Sequence, residues 1–166
     1  MVLVADTSAL VSLAIANDDG PIHCLFEEYD VRVPPAVVSE LEDIATYNDT
    51  HANAATRVLD QLTETHIQQP TEQPDYPLDI GETAAIALAN EANAAVFLCD
   101  EYGELSTVHA LLSEARLMTT PKMIEAFVLR GVLPPAEAQT ALSEMVTERS
   151  WRHNAYVTQF LSRFNE

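Results

Sequence analysis

A chain of 166 residues is long enough for one domain with a core of its own, burying roughly 70% of the surface it exposes when unfolded. Its apolar residues, 48% of the whole, fall in short runs that never approach the roughly 18–20 needed to cross a bilayer, which excludes a membrane-spanning helix. With 26 acidic against 8 basic residues, a formal net charge of −18 and Lys122 as the one lysine, the composition excludes nucleic-acid binding by a broad basic surface.

Val2-Leu3-Val4-Ala5 is an unbroken apolar run, the mark of a strand buried on both faces of a parallel sheet, and Asp6 closes it. Thr7 and Ser8 suit an N-cap, and Ala9 to Ala16 carries a helical apolar face. Asn17-Asp18-Asp19-Gly20-Pro21 breaks the chain before a short helix over Ile22 to Tyr29 and a second strand, Val31 to Val33. Pro35 fits the first turn of a helix running to Tyr47. Asn48 to Ala52 reads as a turn, Ala54 to Leu62 as a helix and His66 to Gln68 as a brief edge strand. Three prolines between Pro70 and Pro77 demand a loop. A helix opens at Leu78-Asp79-Ile80-Gly81-Glu82 and runs to Asn93. Ala95 to Cys99 is a third buried strand, closed by Asp100. A helix over Leu105 to Ala115, a strand at Leu117-Met118 and a helix over Pro121 to Arg130, capped by Gly131, follow. This β/α alternation predicts an α/β fold with helices on both faces of a parallel sheet. Pro134-Pro135 starts a further helix to Glu148, and Trp151 to Phe164 is amphipathic. Trp151, Tyr156, Phe160 and Phe164 recur at helical spacing, as a face docked on the domain or on a dimer partner does.

In open parallel sheets ligands bind at the carboxyl ends of the strands, where Asp6 and Asp100 fall. Glu40, one and a half turns into the helix after the second strand, and Glu82, in the first turn of the helix opened by Asp79, belong beside them if those helices start at the same edge. Carboxylates so gathered raise one another's pKa unless a cation sits among them, and an oxygen-only donor set favours Mg²⁺ or Mn²⁺. Such an ion lowers the pKa of a bound water and clamps a scissile phosphate. Each acid also has a plainer explanation. Asp6 suits a helix cap, Asp79 to Glu82 has capping-box spacing, Glu40 shares a helix N-terminal half with Glu42 and Asp43, and Asp100 suits a turn.

Val4-Ala5-Asp6-Thr7-Ser8-Ala9-Leu10, Val33-Pro34-Pro35 leading to Glu40-Leu41, Leu78-Asp79-Ile80-Gly81-Glu82 with Ala85-Ile86-Ala87-Leu88-Ala89, and Leu98-Cys99-Asp100-Glu101 resemble, in this order, the signature segments of PIN domains. The likeness is closest to the prokaryotic branch that includes VapC-type toxins, and it spans residues 1–133. It implies a three-layer α/β/α fold on four to five short parallel strands, with residues 134–166 a helical extension packed on the same domain or on a dimer partner. It further implies a Mg²⁺- or Mn²⁺-dependent endoribonuclease with Asp6, Glu40, Glu82 and Asp100 as the acidic ligands. Ser8 would help position the first acid or a bound water, and Asp79 and Glu101 stand behind these. RNA is the implied substrate, an antitoxin protein the implied partner and a homodimer the expected assembly. Two features depart from the family pattern. Glu82 stands where many relatives carry Asp, and Glu101-Tyr102-Gly103-Glu104 has no basic residue where relatives often do.

The rival reading is a PIN fold without catalysis, serving as a nucleic-acid-binding or protein-interaction module. A receiver-like phosphoacceptor, which Thr119, Thr120 and Lys122 superficially suit, wants adjacent acids after the first strand, whereas Asp6 stands alone. His23, His51, His66, His109 and His153 show no paired metal spacing, and no Gly-rich phosphate loop is present. Cys24 and Cys99 lie in apolar surroundings and read as reduced thiols. The N-terminus reaches Asp6 too soon for a secretory leader, so a cytoplasmic setting is expected. Acids spread along the chain, with a single lysine, suit molar salt, where the Debye length is about 3 Å, and point to a halophilic archaeal host.

Overall fold

The computed structural model describes residues 1–16 and 20–164. Its sheet has four strands, β1 (Val2–Ala5), β2 (Asp30–Arg32), β3 (Val96–Leu98) and β4 (Arg116–Met118), all parallel and in the order β2-β1-β3-β4. Leu3 pairs with Val31 and Val96, and Phe97 with Leu117. Leu3, Val4, Phe97 and Leu98 are fully buried, which is why these segments carry no polar alternation. Helices cover both faces, so the architecture is the expected three-layer α/β/α fold. They are α1 (Thr7–Leu13), α2 (Gly20–Glu28), α3 (Pro35–Ala45), α4 (Thr50–Gln61), α5 (Ile80–Glu91), α6 (Leu105–Leu111), α7 (Thr120–Leu129), α8 (Pro135–Glu148) and α9 (Ala155–Phe164). Among the described residues no helix is long and apolar enough to cross a membrane.

The strand order reverses direction at β1, because β2 adds on one side of it and β3 on the other. In sheets of this kind the crevice opens at that point, beyond the carboxyl ends of the two strands. Asp6 and Asp100 both reach it. The ladder continues past the strands, with Asp6 N–H donating to the Leu98 carbonyl at 3.0 Å and Cys99 N–H to the Met118 carbonyl at 2.9 Å. These bonds hold the two acids level at one edge.

Several boundaries differ from expectation. α1 begins at Thr7 rather than Ala9, since Asp6 and not Thr7 or Ser8 is the N-cap. α4 begins at Thr50, because Asp49 accepts from the Ala52 amide at 2.8 Å and turns the polar 50–53 segment into a first helical turn. The segment at His66 to Gln68 contributes only one parallel bridge, Ile67 with Val33, after a 3-10 turn over Glu64–His66. It extends no further because Pro34 and Pro35 lead the partner chain straight into α3. The expected break at 17–21 falls partly outside the described residues, and its Gly20-Pro21 end is the start of α2. Gly131, with φ +75°, ends α7 as expected.

Within the chain α8 packs against α1, α2 and α7, and α9 against α7. Trp151 and Phe160 are buried there. Trp151 meets Tyr102 edge-on at 5.3 Å, and Tyr156 lies 5.3 Å from the same ring. Cys24 and Cys99 are free thiols.

Candidate metal centre

Asp6 leaves β1 in an extended conformation that aims its side chain over the start of α1. Oδ1 accepts from the Ser8 hydroxyl and the Ala9 amide, both at 2.9 Å. Oδ2 is buried with no hydrogen-bond partner. The residue thus serves as a helix cap with one oxygen and leaves the other free. Burial raises its carboxyl to about 7, against the Ala9, Cys99 and Ser8 groups that pull it down, with the Asp100 charge adding to the rise.

Glu82 sits in the first turn of α5, whose N-cap Asp79 accepts the Glu82 amide at 2.8 Å. Here the capping-box spacing is used in one direction only. The Glu82 side chain turns into the crevice, 7% exposed, and its Oε2 has no partner. Burial first, then a hydrogen bond shared with Glu104 and the charges of Asp79, Glu104 and Glu101, push its carboxyl up to about 9. Glu40, half-buried on α3, lies against Gly81, where any Cβ would collide with its Oε1 and Cδ. Its carboxyl is also raised, by burial first, opposed by Thr7 and reinforced by Asp79, Glu101 and Asp43.

Asp100 stands behind this group with both oxygens engaged. Thr120 donates to Oδ1 through its amide at 2.8 Å and to Oδ2 through its hydroxyl at 2.6 Å. Burial still raises Asp100 above the usual carboxylate range, with the Thr120 bonds opposing. Its own amide donates to Ser8 Oγ at 3.3 Å, so Ser8 ties the ends of β1 and β3 together. The following residue, Glu101, turns into the crevice, and one carboxylate oxygen each from Asp6, Glu82 and Glu101 lies within 4.8 Å of the other two.

These side chains line a cavity of about 190 Å³ that also takes in Glu40, Asp79, Ser8 and Arg149. A larger cavity of about 480 Å³ lies beside Pro70, Tyr76, Leu78 and Ile80. The convergent carboxylates, and so the chemistry, belong to the smaller one. Of the residues expected from sequence, Asp6, Glu40, Glu82, Ser8, Asp79 and Glu101 line that cavity together, and Asp100 supports it from behind. Sequence reasoning did not single out Glu104, which reaches Glu82, or Arg149, which arrives from the end of α8. No local pattern marks either one.

The residues present fit a divalent cation. Among the described residues, two buried carboxylate oxygens of this pocket lack any donor, and its three convergent acids have no basic partner within ion-pair distance. An unneutralised group of this kind is costly, and a hard cation with oxygen ligands is what satisfies it. No curated protein and no solved structure matches the chain significantly. The family model for the PIN domain matches residues 2–166, well over half of the chain. PIN domains are generally nucleases, which accords with an acidic pocket at the switch point of a parallel sheet. By fold, by site and by a match along nearly its whole length, the chain belongs to the PIN domain family.

Proposed function

We propose that this PIN domain is a Mg²⁺- or Mn²⁺-dependent endoribonuclease that hydrolyses RNA phosphodiester bonds at the carboxylate pocket. The observation carrying this reading is the pair of buried oxygens without hydrogen-bond donors, Asp6 Oδ2 and Glu82 Oε2, beside the Glu101 carboxylate. Asp6, Glu82 and Glu101 would hold the ion, with Glu40 at the Gly81 side and Asp100 fixing the β3 end through Thr120. Bound there, the ion supplies charge neutralisation at a phosphate oxygen and a more acidic water. The chain's own residues do the rest. Ser8 and the Ala9 amide fix the Asp6 carboxylate so that only Oδ2 faces the pocket. Glu82, raised to about 9 by burial and by the neighbouring Glu104, Asp79 and Glu101, keeps its proton near neutral pH, and that proton is released when a cation takes its place. Glu40, half-buried and raised above the usual carboxylate range, is the acid best placed to accept a proton at the pocket rim.

The choice of RNA, and a toxin role with an antitoxin partner and a homodimeric assembly, rest on the likeness to VapC-type sequences. Co-purification with the product of a neighbouring gene and light scattering test the last two. The nuclease reading is tested by incubating the protein with RNA in Mn²⁺, Mg²⁺ or EDTA across a range of salt, beside Asp6→Asn and Glu82→Gln. Cleavage with metal alone, abolished by either substitution, is expected. An inert wild type, with a melting temperature that Mn²⁺ raises no more than matched ionic strength does, would leave the non-catalytic module as the surviving reading.

A further inference from the structure

Arg149 is the C-cap of α8. The helix stops there because Ser150 takes φ +58°, which lets the Trp151 amide reach back to the Val146 carbonyl at 2.9 Å. Trp151 then docks on Tyr102, the residue after Glu101. The C-terminal helices are thereby fastened to the same loop that supplies an acid to the pocket, and Arg149 is placed at its wall. A cation at a helix C-terminus is favoured by the dipole, which accounts for a basic residue here but not for where its side chain goes. Among the described residues four other cations are committed, Arg32 to Asp30, Lys122 to Glu125, Arg130 to Glu28 and Arg57 to the Ala14 carbonyl, and of the rest Arg149 alone lines the acidic cavity. The Arg149 guanidinium makes, among the described residues, no hydrogen bond and no ion pair within ion-pair distance, although its charge acts on Asp100 and five acids line the same cavity. Its five N–H donors remain available.

We infer that Arg149 is the phosphate-binding residue of this site, holding a backbone phosphate of the RNA strand beside the carboxylates. The inference rests on the nuclease reading for its substrate class. It answers the absence of any basic residue in Glu101-Tyr102-Gly103-Glu104, because the chain brings its cation from the far end of the sequence. A planar guanidinium suits a phosphate in a fork geometry that an ammonium cannot reproduce. The cavity, about 190 Å³, is below the size that takes a whole small-molecule ligand and accommodates a phosphate rather than a complete nucleotide.

The test measures binding of a fluorescein-labelled single-stranded oligoribonucleotide in Ca²⁺, by anisotropy at several salt concentrations, for the wild type, Arg149→Ala and Arg149→Lys. Arg149→Ala should weaken binding about 10- to 100-fold and reduce the slope of log K against log salt by about 0.7, the loss of one phosphate contact. Arg149→Lys should keep the slope but recover only part of the affinity. The rise in melting temperature on adding Mn²⁺ should persist in Arg149→Ala, since the carboxylates are untouched. Wild-type affinity and slope in Arg149→Ala overturn the inference. So does loss of the Mn²⁺ response, which would make the guanidinium a support for the acids. RNA cleavage by the wild type in Mn²⁺ is scored separately: an inert protein that still binds RNA through Arg149 sinks the nuclease reading and leaves this one standing.

Discussion

Replacing Asp6 by asparagine keeps Oδ1 as acceptor for the Ser8 hydroxyl and the Ala9 amide but removes a carboxyl that burial raises from 3.8 to about 7. The unfolded chain releases this proton near the lower value and the folded chain near the higher one. Between them the folded state binds more protons, so stability falls as pH rises through the window and levels off above it. At about 1.4 kcal/mol per pKa unit, the penalty is roughly 2 kcal/mol at pH 5 and roughly 4 kcal/mol at pH 8. Asparagine escapes it. In EDTA, Asp6→Asn should therefore be more stable than the wild type, by a margin that widens by roughly 2–3 kcal/mol from pH 5 to pH 8. For a domain of this size that is a growth of roughly 5–10 °C in the difference in melting temperature. Thermal unfolding followed by circular dichroism at fixed ionic strength reads it directly. Saturating Mn²⁺ should then raise the wild type and leave the variant nearly unmoved. A variant no more stable than the wild type at pH 8, or a margin equal at both pH values, refutes the argument that Asp6 is a buried carboxylate awaiting a counter-ion.

Gly81→Ala places a methyl group against the Glu40 carboxylate while improving the helix by about 1 kcal/mol, so Mn²⁺ affinity by calorimetry should drop about 10-fold with the fold intact. Thr120→Val removes the 2.6 Å donor to Asp100 Oδ2 and should cost roughly 1.5–3 kcal/mol in urea unfolding at pH 8. That loss should shrink at low pH, where Asp100, already raised by burial, keeps its proton. Mn²⁺ must displace protons from Glu82, raised to about 9, and from Asp6. Its affinity should thus climb between pH 6 and pH 9, and titrations in buffers of different ionisation heat should show about one or more protons released per ion at pH 7.

Much of this was legible in the sequence, for identifiable reasons. Val2 to Ala5 and Val96 to Leu98 announce themselves because a strand buried on both faces needs no polar alternation, and an acid at the end of each marks the sheet edge. Glu40 and Glu82 could be placed because Pro35 and Asp79 fix where their helices begin. That Glu101 lines the cavity while Asp100 is bonded to Thr120 was not legible. Adjacent acids after a strand point different ways, and which one enters the crevice depends on Thr120, which claims Asp100 from another element. Glu104 and Arg149 were hidden for the same reason, since their roles arise from tertiary contacts with no local signature.

The order β2-β1-β3-β4 also governs timing. β1 leaves the ribosome well before its partner β3, which is made almost a hundred residues later with Glu101 following close on it. Until that stretch has emerged, Asp6 lacks both the β3 partner that holds it at the sheet edge and the Glu101 carboxylate beside it, and pairing across so long a loop is slow to close. A nascent polypeptide therefore carries none of the assembled pocket before Glu101 has emerged, so the carboxylates meet only after its translation.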